Sequence, residues 1–154
     1  MGLAEVRNYL SQWGRDKDIL EFQVSSATVE LAAQALNTQP ERIAKTLSFR
    51  GPDGPLLIVA AGHVRIDNKK FREAFGFKGS MLTPEEAESL IGHRVGGICP
   101  FGVKEAVRTY LDVSLREFDI VFPACGSSNS AIAMSPDELF EVSRAQGWVD
   151  VGKG

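Results

Sequence analysis

Chemistry-bearing residues are scarce in this 154-residue chain, which has only two cysteines, Cys99 and Cys125, and two histidines, His63 and His93. The cysteines do not form a CxxC pair and no His/Cys spacing is recognisable as a zinc site, so free thiols are expected rather than a disulfide. No apolar run is long enough to cross a bilayer. The stretch from Met1 through Trp13 lacks the basic-then-apolar pattern of a leader, so the sequence reads as a cytoplasmic protein without a membrane partner. The formal net charge is only −3, which argues against a protein that coats nucleic acid through a general basic surface. There is no G-x-G-x-x-G after a strand, no Walker lysine, no G-x-S-x-G elbow and no carboxylate pair placed for acid and base work. No cofactor is therefore implied. Internal repeats and low-complexity tracts are also absent.

What remains is an ordinary composition, 44% apolar and 24% charged, that suits a single domain over residues 1–154 with one core. The modest net charge hides an asymmetry. From Arg42 to Arg108 there are 11 Lys or Arg against 7 Asp or Glu, and outside it 6 against 13. The densest basic stretch, Arg65-Ile66-Asp67-Asn68-Lys69-Lys70-Phe71-Arg72, suits a solvated helix face and a phosphate contact equally.

Periodicity predicts a mixed α/β layer fold. Leu3, Val6, Leu10 and Trp13 form the stripe of a helix that stops at Gly14, and Leu20, Phe22 and Val24 alternate as a half-buried strand. Thr28 caps a helix through Leu36, and Pro40 opens a short turn. In the strand Ile43–Arg50, Lys45 falls on the same face as Ile43, Leu47 and Phe49. An ammonium there must either reach solvent along its stem or meet an anion in a cleft. The reversal at 51–55 leads to Leu56–Ala61, a continuous apolar run suited to a central strand. Asp67 caps a helix with Phe71 and Phe75 inward and Gly76 as its stop, which presents Lys69, Lys70 and Arg72 outward. Thr83-Pro84-Glu85-Glu86 and Ser135-Pro136-Asp137-Glu138 both read as capping boxes. Strands are expected over 107–111 and 120–125, a short buried run over 131–134, and an edge strand over 148–151.

Two stretches resist placement in regular elements. Gly96-Gly97-Ile98-Cys99-Pro100-Phe101-Gly102 cannot continue a helix or fill a central strand, so it is a shaped loop, either a plain turn or a backbone wall for a ligand. Cys125-Gly126-Ser127-Ser128-Asn129-Ser130 is small and polar, suited to a hairpin turn or to a pocket lining.

Lys45-Thr46-Leu47 on an early strand, Asp67-Asn68-Lys69-Lys70 opening a helix, the Gly96–Gly102 loop and Cys125-Gly126 before a polar turn together resemble the YbaK family. These proteins are free-standing relatives of the editing domain of bacterial prolyl-tRNA synthetases. The resemblance runs from about Phe22 to Trp148 and implies that family's mixed central β-sheet with surrounding helices. It also implies an aminoacyl-tRNA deacylase that hydrolyses the ester of a mischarged tRNA. The acceptor end of that tRNA is the partner, and an aminoacyl-tRNA synthetase is a second candidate.

By the same resemblance Lys45 holds the terminal phosphate or nearby polar groups, and the backbone at Gly96, Gly97 and Ile98 cradles the ester. Thr46, Asp67, Lys69, Lys70, Pro100, Phe101, Gly102, Gly126, Ser127 and Ser128 are the implied substrate-binding positions. Preorganised N–H groups stabilise an oxyanion, and an activated ester needs a positioned water more than a protein nucleophile. The synthetase editing domain carries a histidine in the turn where this chain reads Ser127-Ser128-Asn129-Ser130, so no histidine general base is expected there. His63 and His93 read as surface or structural. Met81, Phe101 and Met134 are candidates to shape the amino-acid pocket, with core packing favoured for Met134. A tRNA for proline carrying cysteine or alanine is the leading substrate. A non-catalytic tRNA- or nucleotide-binding module and a small hydrolase using Cys99 are the competing readings, although no histidine is placed by sequence to activate Cys99. Nothing in the sequence sets an oligomeric state.

Overall fold

The computed structural model describes residues 2–154. Its centre is a five-stranded mixed sheet built from β2 (Ile43–Phe49), β3 (Leu56–Ala61), β5 (Arg108–Asp112), β6 (Phe122–Pro123) and β8 (Trp148–Val149), in the order β6-β2-β3-β5-β8. β2 and β3 are antiparallel and the other neighbours are parallel. β3 is buried at every residue, as its apolar run requires of a strand covered on both faces.

Lys45, Leu47 and Phe49 share one face of the sheet with Ile58 and Tyr110, their partners in register; there Leu47, Phe49 and Ile58 pack on the Phe71 cluster of α3 (Asn68–Phe75). Ala44, Val59, Ala61 and Leu111 face the other way. They pack with Val6 and Leu10 of α1 (Leu3–Leu10) and with Leu139 and Val142 of α5 (Pro136–Val142). Leu57 meets Ala87 of α4 (Pro84–Leu90). Two short ribbons flank the sheet, β1 (Leu20–Glu21) with β7 (Ser130–Ala131) and β4 (Arg65–Ile66) with β9 (Gly152–Lys153).

The local signals place these elements. The Thr28 side chain accepts from Leu31 N–H at the start of α2 (Val29–Leu36), and Asp67 does the same for Lys70 N–H. Thr83 and Glu86 complete a capping box. Gly14 and Gly76 end their segments in the left-handed conformation.

Three expectations need correction. The strand expected from Leu20 to Val24 pairs only over Leu20–Glu21, with Leu20 44% and Val24 62% exposed, because only a two-residue partner is available. The strand expected over 120–125 narrows to Phe122–Pro123, extended by bridges from Val121 to Met134 and from Ala124 to Ala131. At Ser135 only half of the capping box forms, because Glu138 pairs with Arg15 instead of reaching back.

Candidate functional site

A cleft of about 350 Å³ opens where β6 stops. β6 pairs with Ile43 and Ala44 only, and pairing on that edge of β2 resumes at Ser48, whose carbonyl accepts Leu82 N–H at 3.1 Å. Backbone groups two residues apart point to the same edge, so Thr46 N–H and C=O face the gap between. The Thr46 hydroxyl oxygen is itself buried and has no hydrogen-bond partner. A buried polar atom left unpaired is normally matched by something else, and together with the backbone edge beside it the hydroxyl makes Thr46 a position suited to bind a ligand.

Among the described residues, Lys45 is the only charged one lining the cleft. Its ammonium donates to the carbonyls of Gly62, at 3.3 Å, and Val64, which answers the problem of an ammonium on an apolar face. An ammonium has three protons, so one stays available to an anion or carbonyl. Burial lowers its pKa below the ordinary lysine value, with Glu30 opposing and Arg65 adding to the shift.

The opposite wall is the glycine loop, but its residues divide. Gly96 and Ile98 line the cleft, and their N–H groups form no hydrogen bond among the described residues. Gly96 adopts φ +97°, which explains glycine there. Gly97, expected to cradle the ester, faces away: its N–H donates to Arg94 C=O at 3.0 Å, and a Cβ on it would lie 2.7 Å from Gly126 C and Ser127 N. Its missing side chain lets one backbone lie on another within the protein.

The remaining implied positions fall elsewhere. Pro100 and Phe101 are buried, Phe101 in the main core, and Gly102 turns at φ +66° against Glu5. Met134 belongs to the same core, whereas Met81 lines the cleft. Gly126, Ser127 and Ser128 line a separate depression behind the loop, next to Arg94. The residue of that turn that does reach the cleft is Ser130, whose Oγ lies 2.5 Å from Ser127 Oγ. Asp67, Lys69 and Lys70 do not line the cleft. Asp67 is occupied as a cap, and Lys70 donates to Asp150 at 3.2 Å and to Gly152 C=O at 2.9 Å.

His63 is exposed, but His93 is not a surface residue. It is fully buried, with Nε2 2.7 Å from Phe101 O and 3.7 Å from Cys99 Sγ. A histidine thus does stand beside Cys99, contrary to the sequence expectation, across six residues of a loop whose path no local pattern reveals. The pair is nevertheless built for packing. Cys99 is buried away from the cleft, and desolvation pushes its thiol up to about 12, so no thiolate forms near neutrality. Burial also lowers the His93 pKa. By closing onto Phe101, His93 ties together the two feet of the glycine loop, a role with no sequence signal beyond its place just before the loop.

Among the described residues, no Asp, Glu, His or Cys lines the cleft, no group of three or more such residues is arranged to hold a metal ion, and no helix is long and apolar enough to cross a membrane. The chemistry on offer is one ammonium, hydroxyls, backbone N–H groups and an apolar lining in which alanine recurs. Such a site can hold and polarise an acyl ester, and among the described residues it presents no thiol, imidazole or carboxylate to attack it or to activate a hydroxyl.

The pattern of the aminoacyl-tRNA editing domain matches residues 24–142. An uncharacterized protein of Bacillus subtilis, YwhH, is 54% identical over 154 residues, covering 99% of this chain and 98% of its own. EbsC of Enterococcus faecalis, a candidate Cys-tRNA(Pro)/Cys-tRNA(Cys) deacylase, is 29% identical over 121 residues, covering 77% of this chain and 74% of its own. The crystal structure of a candidate trans-editing enzyme for prolyl tRNA synthetase superposes with a TM-score of 0.89 at 30% identity, over 99% of this chain and 97% of that one.

Proposed function

Since the chain belongs to the aminoacyl-tRNA editing domain family and is an aminoacyl-tRNA deacylase, we propose that it clears a tRNA for proline mischarged with a small amino acid such as cysteine or alanine, with water as the attacking group. The observation that carries this reading is the cleft lining. Ala27, Ala32, Ala87, Ala124 and Ala131 leave a small apolar space, and among the described residues no carboxylate, imidazole or thiol lines it.

In this reading the terminal ester lies across the free edge of β2. Thr46 binds polar groups of the aminoacyl-ribose with its hydroxyl and exposed backbone. Lys45 gives its remaining proton to the terminal phosphate or a neighbouring oxygen. The N–H groups of Gly96 and Ile98 meet the oxyanion that develops as water adds to the carbonyl, where fixed donors act without reorganisation. The proton of that water is relayed by the substrate's own neighbouring ribose hydroxyl or amine to the ribose oxygen that leaves as the acyl C–O bond breaks, because no carboxylate or imidazole among the described residues lines the cleft to carry it. A pocket of this kind separates side chains one methylene apart by only about 1–3 kcal/mol, so selectivity rests on a few wall residues.

Hydrolysis of a panel of mischarged tRNAs tests the proposal. Release of cysteine or alanine from the proline tRNA, faster than release of proline itself, is expected. Turnover confined to large or charged amino acids overturns the substrate assignment, and no turnover on any member leaves the non-catalytic binding module. A synthetase that presents the tRNA would lower KM in the same assay and leave kcat unchanged.

A further inference from the structure

The β4–β9 ribbon sets two cations against each other. Arg65 and Lys153 are direct partners in its register, both exposed, and directly opposed side chains share a face of a ladder. Like charges in that position destabilise the pairing, yet neither residue forms an ion pair among the described residues. Of the nearby carboxylates, Asp150 pairs with Lys70, and Asp67 caps α3, close enough to feel the charge of Lys153 but not in a salt bridge with it.

The arrangement is held firmly in place. Asp67 N–H donates to Val151 C=O at 2.7 Å, Val151 N–H to Asp112 at 2.9 Å, and Lys70 to Gly152 C=O at 2.9 Å. The ribbon is also continuous with the cleft. Arg65 follows Val64, whose carbonyl receives the Lys45 ammonium, so the charge that lines the cleft lies beside the first cation of the ribbon.

We infer that Arg65 and Lys153 form a phosphate clamp for the single-stranded acceptor end of the tRNA, gripping the backbone just upstream of the nucleotide whose ester lies in the cleft. This rests on the deacylase reading. Two opposed cations that form no ion pair are matched by a phosphodiester, and a polyanion whose end lies beside Lys45 passes over β4–β9 as it leaves. Lys70, the cation that stood out in the sequence, instead braces the ribbon.

The test is the double variant Arg65→Gln/Lys153→Gln, with Lys17→Gln/Lys78→Gln as a control of equal charge change. Binding of uncharged tRNA is measured against salt, and hydrolysis is measured on mischarged tRNA and on an aminoacyl-adenosine that has no upstream phosphates. Each single-strand phosphate contact contributes about 0.7 to the log–log salt slope, so losing two should reduce it by about 1.4, or roughly sevenfold in affinity change between 50 and 200 mM salt. The kcat/KM on tRNA should fall about tenfold, through KM, while that on aminoacyl-adenosine stays within twofold. The melting temperature should hold or rise as the repulsion is relieved. An unchanged slope, an equal loss on both substrates, or a slope change matched by the control overturns the clamp. Binding is scored without turnover, so a protein that binds with the expected slope but hydrolyses nothing refutes the deacylase reading and leaves the clamp standing.

Discussion

Replacing Gly97 with alanine separates the two meanings of a glycine-rich loop. Gly97 does not need glycine for its torsions, since its φ lies outside the left-handed region, so the substitution tests close approach alone. The added Cβ would lie 2.7 Å from Gly126 C and Ser127 N and 2.8 Å from Gly126 O, where ordinary contacts begin near 3.4 Å. The loop and the turn must therefore separate by about 0.7 Å, and all three obstructing atoms are backbone. There is no slack behind them, because Gly126 is itself pressed to Gly2 and Val6, with a Cβ there 2.8 Å from each. Overpacking of this kind destabilises by about 1–3 kcal/mol. For a chain of this size that lowers the melting temperature by about 3–10 °C. The displacement passes to Gly96 and Ile98, the residues on either side, and misplacement on the order of 1 Å can reduce a rate about 10²-fold. Single-turnover hydrolysis of mischarged tRNA should thus fall roughly 30- to 100-fold for Gly97→Ala. Cys99→Ala removes a buried sulfur, costs about 1 kcal/mol of stability and leaves the rate within about threefold. A wild-type rate for a folded Gly97→Ala, or a larger loss for Cys99→Ala, would refute this account of the loop.

Other measurements probe the cleft and the core. Thr46→Val keeps the shape and removes only the unpartnered hydroxyl; unfolding stability should be unchanged or higher while kcat/KM falls about tenfold or more, and a stability loss without a rate loss would make the hydroxyl structural. Lys45→Met, which keeps the stem, should lower kcat/KM on tRNA by about 10²-fold, and full activity would remove the ammonium from the mechanism. Urea unfolding across pH should show a plateau bounded on both sides. His93 has its folded pKa depressed from an ordinary 6.5, so the unfolded chain takes up the proton first and stability falls as pH drops below about 6.5. Cys99 has its pKa raised from 9.0 to about 12, so the unfolded chain loses the proton first and stability falls as pH rises above about 9. His93→Gln should flatten the acid limb, and an unaltered limb would assign it to other groups.

Much of this architecture was legible before any coordinates, because its signals are local. The caps at Thr28, Asp67 and Thr83, the glycine stops at Gly14 and Gly76, the buried run of β3 and the placement of Lys45 with Leu47 and Phe49 each depend on a few neighbouring residues. The resemblance likewise pointed to the editing family, whose pattern matches residues 24–142. Periodicity overextends the weakly paired strands, since a strand's length depends on a partner distant in sequence.

The division of labour within the site was a different matter. That Gly96 and Ile98 face the cleft while Gly97 meets Gly126 depends on which way a loop turns. That His93 meets Phe101 and Cys99, that Lys70 is taken by Asp150, and that β6 ends early enough to bare Thr46 are all outcomes of segments meeting from far apart in the chain. By itself the sequence determined the elements, the chemical inventory and the family, because propensity, capping and patterning act over a few residues. Only the tertiary structure decided which of those residues line the cleft, because that depends on the close approach of backbones with no local trace in one another's sequence.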